Sequence, residues 1–141
     1  MGRDEILALL ARRNAAWEAR DAAALAATHA PEGTVESPTG GLLRGHAAIE
    51  RVYRVWFTAF PDIAWHPEEV VIDGDRVVVL AKLVGTQAGE FFGLPAGGRH
   101  VEFEVAIAMT VADGLIATER RIYDSTGLLV QAGVLKAKPV S

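Results

Sequence analysis

The stretch VEFEVAIAMTVADGLIATERRIYD, residues 101–124, decides the fold of this chain. Apolar and polar residues alternate on both sides of Asp113-Gly114, and an Asp-Gly pair between two such runs is a strong signal for a tight hairpin turn. A second pair of runs, residues 63–72 and 76–87, meets at Asp73-Gly74 in the same way. The pattern therefore predicts an antiparallel sheet of long strands in the second half of the chain.

The first half of the chain has the periodicity of helices. Apolar residues recur at helical spacing between residues 6 and 17, with Asn14 on the same face, and again between residues 49 and 60. Asp21 can cap a short helix between them, and the segment 33–38, GTVESP, predicts a short strand. Because helices precede an antiparallel sheet, we expect an α+β fold with three N-terminal helices packed on one face of a curved sheet.

Length and composition narrow the possible classes of protein. The 141 residues are enough for one ordinary domain, and we expect residues 1–141 to form it, with the segment VLKAKPVS, residues 134–141, as a last strand or a loose tail. The net charge of -4 and the absence of a basic cluster argue against a nucleic-acid partner. No long apolar segment suggests a membrane, so we expect a cytoplasmic protein.

The chain gives little support for a metal or a cofactor. It has no cysteine, and its histidines have none of the spacings typical of metal sites; they are His29, His46, His66 and His100. His29 and His46 lie beside predicted loops, where we expect them to be solvated. The glycine-rich stretch GLPAGGRH, residues 93–100, lacks the arrangement of a nucleotide-binding loop.

Counting outward from Asp113-Gly114 predicts which side chains face the helices. Phe103 and Asp124 then oppose each other on the apolar side, and Arg120 lies on that side too, whereas Glu119 falls on the reverse side. Two interpretations of Asp124 remain open: it caps the segment 125–131 or pairs with Arg120, or it is a general acid/base in a pocket.

The same counting in the earlier hairpin places His66 on the side of Val77 and Val79. His66 is then either a histidine at a bulge beside Pro67 or a catalytic group in the interior.

Three stretches carry a family resemblance: FPD at 60–62, GEFFGLPAGGRHVEF at 89–103 and YDSTGLL at 123–129. With the order of the elements, they resemble the SnoaL-like polyketide cyclase (ester cyclase) family of the nuclear transport factor 2-like superfamily. The resemblance implies a cone-shaped sheet wrapped around a pocket, often in a homodimer. It also implies an intramolecular aldol ring closure without metal or cofactor, with an aspartate near the end of the last long strand as acid/base. Asp124 occupies the matching position.

Two positions depart from that family pattern. Many members have a histidine where this chain has Gln87, and a histidine or aspartate where it has Glu36. Glutamine can hydrogen-bond an oxygen but cannot transfer a proton, so the chain has either lost that route of proton transfer or replaced the histidine with His66 or Glu36.

Further residues are expected to bind the substrate. Gln87, Asn14 and Arg120 are candidates to hold the developing enolate oxygen. Aromatic and apolar walls for an apolar or polyketide-like molecule are expected from Trp17, Tyr53, Trp56 and Phe103. Helical spacing predicts ordinary core packing for the aromatic residues equally well.

Two other classes of function remain open. One is a different enzyme on the same fold, an epoxide hydrolase, dehydratase or isomerase; an epoxide hydrolase would need Glu68 or Glu36 as a second acid beside Asp124 and Arg120. The other is a non-catalytic protein that binds a small ligand and dimerises through the reverse face of the sheet, predicted to carry Glu102, Glu104, Glu119, Arg121, Ala106, Ala108 and Tyr123.

Overall fold

The computed structural model of the chain describes residues 1–136, and their helices and strands follow the predicted order. The elements are α1 (Arg3–Ala19), α2 (Ala22–Ala27), β1 (His29–Ser37), β2 (Gly41–Arg44), α3 (His46–Ala59), β3 (Ala64–Asp73), β4 (Arg76–Thr86), β5 (His100–Ala112), β6 (Leu115–Tyr123) and α4 (Ser125–Gln131). In the C-terminal segment, residues 134–136 belong to neither a helix nor a strand, and residues 137–141 lie outside the described part.

The strands form one curved, open sheet in the order β2-β1-β6-β5-β4-β3, with the helices on one side. The predicted α+β class is therefore confirmed. The sheet is not wholly antiparallel, because β1 runs parallel to β6. A parallel pair requires a long connection, which β2, α3 and strands β3 to β5 supply between these two strands.

The helices cover the sheet with apolar faces. α3 buries Ile49, Val52, Tyr53 and Trp56, which recur at helical spacing as predicted. α1 buries Ile6, Leu9, Leu10, Ala16 and Trp17, and with them Arg13. Arg13 is therefore the polar residue that lies fully within the apolar face of α1. Asn14, which was predicted to lie on this face, is half-buried at the border of the face.

Both hairpin turns form where the sequence predicts them. Asp113 and Gly114 have φ angles of 52° and 78°, and Ala112 pairs with Leu115, as in a type I′ turn. The other turn centres on Gly74-Asp75, because Asp73 pairs with Arg76.

A bulge in β6 reverses the predicted facing of the residues that follow it. Val111 pairs with Ile116, but Thr110 pairs with Thr118, so Ala117 is an extra residue. Because side chains alternate between the two faces of a strand, one extra residue moves every later side chain to the opposite face. The prediction that Arg120 and Asp124 face the helices was therefore wrong, and both are exposed.

A second bulge acts in the same way on β3. Pro67 pairs with Ala81 and Glu69 with Leu80, which leaves Glu68 as the extra residue. Trp65 consequently points into the core and His66 into solvent. The predicted interior position of His66 was wrong for this reason.

Candidate functional site

An aromatic cavity lies between the sheet and helices α1 and α3. Its lining is mostly aromatic and aliphatic, with Arg121 and Tyr123 as the lining residues that carry a charged or hydroxyl group; the residues are Trp17, Trp56, Trp65, Leu83, Phe103, Val105, Ile107, Arg121 and Tyr123. Trp17 and Trp65 stack with ring centroids 5.1 Å apart. The cavity volume is about 10 Å³, which leaves room for about one water molecule. A larger ligand must therefore displace some of these side chains.

Arg121 is the charged group in the cavity lining. Its side chain is only 7% exposed, and its guanidinium lies 4.7 Å above the Tyr53 ring. Nε donates a hydrogen bond of 2.6 Å to Glu119, whereas Nη2 is buried without a hydrogen-bond partner. The other polar lining residue, Tyr123, forms a hydrogen bond with the hydroxyl of Thr39. Arg121 is therefore a residue of the largely apolar cavity lining that has one buried donor without a hydrogen-bond partner.

Arg121 belongs to a group of buried polar side chains, which we call the buried charge cluster. Its members are Arg13, His29, Tyr53, Glu119 and Arg121. Besides bonding Arg121, the Glu119 carboxylate lies 3.4 Å from Arg13 Nη2 and 3.7 Å from His29 Nε2. Arg13 Nη2 also lies 3.5 Å from the Tyr53 hydroxyl, and its guanidinium sits 5.0 Å from the Trp65 ring centroid. One carboxylate thus holds two guanidinium groups in place.

The environment shifts the pKa of the titratable members of the cluster. Burial by itself would raise the pKa of Glu119, but the charges of Arg121 and Arg13 outweigh it, and with His29 they lower the pKa to about 2. Burial lowers the pKa of His29 to about 4, against the opposing attraction of Glu119. Burial also raises the pKa of Tyr53. At neutral pH Glu119 is therefore an anion, and His29 and Tyr53 are uncharged.

Some of the predicted site residues do lie in or beside the cavity. Trp17, Trp56 and Phe103 line it. Tyr53 is fully buried beneath Arg121. These positions agree with a wall of a ligand site and equally with core packing, so their role in binding stays a prediction.

The two predicted amide groups are used in structural contacts. Asn14 Oδ1 accepts a hydrogen bond of 2.9 Å from Trp65 Nε1, which fixes one wall of the cavity. Gln87 is buried, and its Nε2 donates to the carbonyl oxygens of Gly89 and Pro95 at 3.3 and 3.2 Å. Gln87 therefore holds the loop 88–99 against the end of β4.

The remaining predicted residues are on the surface; they are His66, Glu36, Arg120 and Asp124. Glu36 on β1 and Arg120 on β6 are directly paired strand positions that line a shallow outer groove. Asp124 is the N-cap of α4, where its Oδ1 accepts a hydrogen bond of 2.8 Å from the Gly127 amide. The capping interpretation of Asp124 is thus confirmed, whereas its acid/base role stays a prediction.

Four residues of the cluster were not predicted from the sequence: Arg13, His29, Glu119 and Arg121. Arg13 carried a signal, because it lies three residues after Leu10 and four before Trp17 on the apolar face of α1. His29 was expected in solvent but starts β1 and is fully buried. Glu119 and Arg121 were assigned to the reverse face, because nothing in the sequence reveals the bulge at Ala117.

Within residues 1–136, no group of three or more His, Asp or Glu side chains is arranged to hold a metal ion. In the same part of the chain, no helix combines the length and the apolar character needed to cross a membrane.

Comparison with known proteins identifies relatives by sequence and by fold. A family model described as SnoaL-like polyketide cyclase matches residues 8–132. A candidate SnoaL-like polyketide cyclase from Jannaschia sp. CCS1 is 25% identical, with a TM-score of 0.84 over 94% of each chain. TsrD from Streptomyces laurentii is 27% identical, with a TM-score of 0.84 over 96% of this chain and 99% of TsrD.

A third structure shares the fold at lower identity. TerC, which was co-crystallised with polyporic acid, is 20% identical, with a TM-score of 0.77 over 92% of this chain and 98% of TerC. No curated protein sequence matches the chain.

Proposed function

Because this chain belongs to the SnoaL-like polyketide cyclase family, we propose that it is a small-molecule enzyme that closes a ring in a polyketide-like substrate without a cofactor. The observation that carries the proposal is the aromatic cavity with the free donor of Arg121 in its wall. Flat aromatic walls suit a flat conjugated molecule, and a buried donor suits an oxygen on which negative charge develops.

The proposed reaction is an intramolecular aldol addition. A base removes a proton from a carbon between two carbonyl groups, the resulting enolate carbon attacks a second carbonyl carbon, and the alkoxide that forms takes a proton back. Arg121 Nη2 would stabilise the enolate oxygen, the role that the sequence had suggested for Gln87, Asn14 and Arg120. We expect Arg121 to do this better, because its donor is buried and unpaired.

Asp124 remains the proposed acid/base group. It directly follows Tyr123, which lines the cavity, so its backbone lies next to the cavity wall. Its exposed carboxylate and its hydrogen bond to Gly127 favour the alternative that it only caps α4. Mutation can separate these two roles.

Because the cavity has room for only about one water molecule, a ligand requires a wider route of entry, and we propose the loop 88–99 for this role. Phe91 in this loop packs against Trp56 in the cavity wall, with ring centroids 4.6 Å apart. The loop is rich in glycine, and Gln87 holds it through carbonyl oxygens. Movement of Phe91 away from Trp56 would enlarge the cavity on that side.

The ligand class is supported by the family and by one relative of the same fold. TerC was co-crystallised with polyporic acid, an acidic small molecule. We propose a flat, conjugated, polyketide-like molecule for this chain.

The first test is to measure ligand binding and then the product. All three tryptophans of the chain line the cavity, so an aromatic ligand should quench the intrinsic fluorescence. An aromatic ketone that carries a 1,3-dicarbonyl side chain should then be converted to a cyclic product of unchanged mass, or to one that has lost water after ring closure. Addition of water to an epoxide substrate, with no ring closure, would support the epoxide hydrolase alternative instead.

We expect Asp124→Asn to reduce turnover by about 100-fold or more if Asp124 transfers the proton. Asparagine caps a helix about as well as aspartate, so thermal unfolding should be nearly unchanged. The matched control is Asp21→Asn, because Asp21 caps α2 through a 3.0 Å bond from the Ala24 amide. Wild-type turnover in Asp124→Asn would reduce Asp124 to a helix cap and refute its acid/base role.

We also propose that two copies of the chain associate through the outer face of the sheet. The bulge changes the composition predicted for this face: Ile122, 53% exposed, takes the place of Tyr123, and Leu80 lies on the same face near Ala106. These apolar side chains are flanked by Glu104. A face of this kind, apolar in the middle and polar around it, is typical of an interface between copies.

Sedimentation velocity at tens of micromolar should give a dimer for the wild type. Ile122→Glu should give a monomer, because it places a charge in the apolar centre of the interface. Leu7→Glu is the control, since Leu7 is similarly exposed but lies on α1. A monomeric wild type would contradict the proposed dimer.

A further inference from the structure

The buried charge cluster has more positive than negative charge. Arg13 and Arg121 are cations, Glu119 is an anion, and His29 is uncharged at neutral pH because burial lowers its pKa to about 4. The other buried polar side chains among residues 1–136, Thr28 and Gln87, carry no charge. The interior therefore has one positive charge without a buried counterion.

The excess charge coincides with unused hydrogen-bond donors. Arg121 Nη2, Arg13 Nε and Trp17 Nε1 are buried and have no hydrogen-bond partner. A buried donor without a partner is costly, and native proteins contain few of them. Two of these donors, on Arg121 and Trp17, belong to residues that line the aromatic cavity.

The position of the cavity connects these two observations. Arg121 forms part of its wall, whereas Glu119 lies behind it, bound to Arg121 Nε. The carboxylate therefore engages Arg121 through Nε from outside the cavity lining and leaves Nη2 of the same lining residue without a hydrogen-bond partner. Besides Arg121, the lining consists of aromatic and aliphatic side chains and brings no charge.

We propose that the cavity selects anions, so that its ligand carries one negative oxygen group, a carboxylate or an ionised enol, conjugated to a flat ring system and bound to Arg121 Nη2. Trp17 Nε1 is the second donor for the same group. Glu119 is a positioning residue, because it fixes the guanidinium without reaching the ligand. This inference narrows the substrate class of the proposed function, and it rests on that function only in using the same cavity.

Physical chemistry favours an anion over a neutral molecule at this position. A hydrogen bond to a charged group is stronger than one between neutral groups, and the difference increases where water is excluded. A single anion would also compensate the excess charge of the cluster. A cation would add to that charge, and a neutral ligand would leave it uncompensated.

The direct test compares two ligands of nearly the same shape. We expect the wild-type protein at pH 7.5 to bind 2-naphthoate about 10- to 100-fold more tightly than 2-naphthamide in isothermal titration calorimetry. A second pair, 2-hydroxy-1,4-naphthoquinone and its 2-methoxy ether, replaces the carboxylate by an ionised enol. Preference within the first pair identifies a carboxylate as the bound group, and preference within the second identifies an enol. Equal affinities within both pairs, or binding of neither, would overturn the inference.

Two variants locate the selectivity. Arg121→Met leaves Arg13 and Glu119 as a neutral pair. It should reduce the preference for the anion to less than about 3-fold. Arg120→Met removes the neighbouring, exposed arginine and should retain the preference. The opposite result, loss in Arg120→Met and retention in Arg121→Met, would contradict the inference. If Arg121→Met does not fold, the ligand pairs and Arg120→Met still decide the question.

The outcome is independent of turnover. Selective binding of the anions without any ring closure would refute the proposed reaction and leave the anion site standing. Ring closure of a neutral substrate without anion preference would support the reaction and refute the anion site.

Discussion

Replacing Glu119 by glutamine is expected to lower the free energy of unfolding by about 3–5 kcal/mol, the usual result of removing one partner from a buried ion pair. The carboxylate is fully buried and lies within 3.4 Å of Arg13 and 2.6 Å of Arg121. Without its charge, two guanidinium groups would remain buried near each other with no anion. Urea unfolding followed by circular dichroism measures the change.

The matched control is Glu102→Gln. Glu102 also pairs with a cation, Lys82 at 3.0 Å, but this pair is exposed to solvent, and we expect no measurable loss of stability. The double variant Glu119→Gln, Arg121→Met tests the cause. If uncompensated charge is responsible, removing Arg121 should recover part of the stability lost in Glu119→Gln. If the double variant recovers no stability, the loss in Glu119→Gln results from altered packing and not from uncompensated charge.

The sequence predicted those parts of the fold that depend on local patterns. The turn at Asp113-Gly114 follows from the conformations that these two residues accept, and the cap at Asp21 follows from its side chain. The apolar face of α3 follows from its spacing. These signals involve neighbours along the chain, which is why they can be recognised without a structure.

The facing of residues in β3 and β6 could not be predicted in the same way. A bulge depends on how two strands fit together, and both Ala117 and Glu68 are ordinary strand residues that give no local warning. Counting residues outward from the turn at Asp113-Gly114 predicted a register that buries Ile122 and exposes Glu119. The protein instead buries Glu119 and Arg121, because Arg13 on α1 completes their charge pairing.

The candidate site shows the same division. Trp17, Trp56 and Phe103 were predicted as walls from spacing alone, and they line the cavity. The polar groups beside them come from β6, whose register was predicted wrongly, and from Arg13, which was not predicted although its helical spacing places it on the apolar face of α1. The family was predicted correctly because its motifs depend on residue order, whereas its proposed acid/base residue, Asp124, depends on side-chain direction.

The stability of the protein is expected to fall by about 3 kcal/mol between pH 6.5 and pH 4 because of His29 alone. Burial lowers the pKa of His29 from 6.5 to about 4, so the unfolded chain takes up a proton in this range while the folded protein does not. The stability that depends on uncharged His29 is therefore fully present above pH 6.5 and decreases as the pH falls. Below pH 4 this residue causes no further loss of stability.

Glu119 acts in a lower range of pH. Its pKa is lowered from 4.5 to about 2, so the stability that it provides is complete above pH 4.5 and is lost as the pH falls towards 2. The two groups can therefore be separated by the pH at which stability changes. Urea unfolding at half-unit steps from pH 7.5 to pH 3 gives the profile.

His29→Gln should remove the decrease between pH 6.5 and pH 4 and keep the decrease below pH 4.5. His66→Gln is the control, because His66 is exposed on β3 and its loss should leave the profile unchanged. A wild-type stability that instead increases as the pH falls from 7 to 5 would mean that His29 is protonated in the folded protein beside Glu119, because the folded protein would then bind more protons than the unfolded chain in this range. The cluster would then carry a charge of two at neutral pH, and the attraction of the cavity for an anion would be stronger than a single excess charge provides.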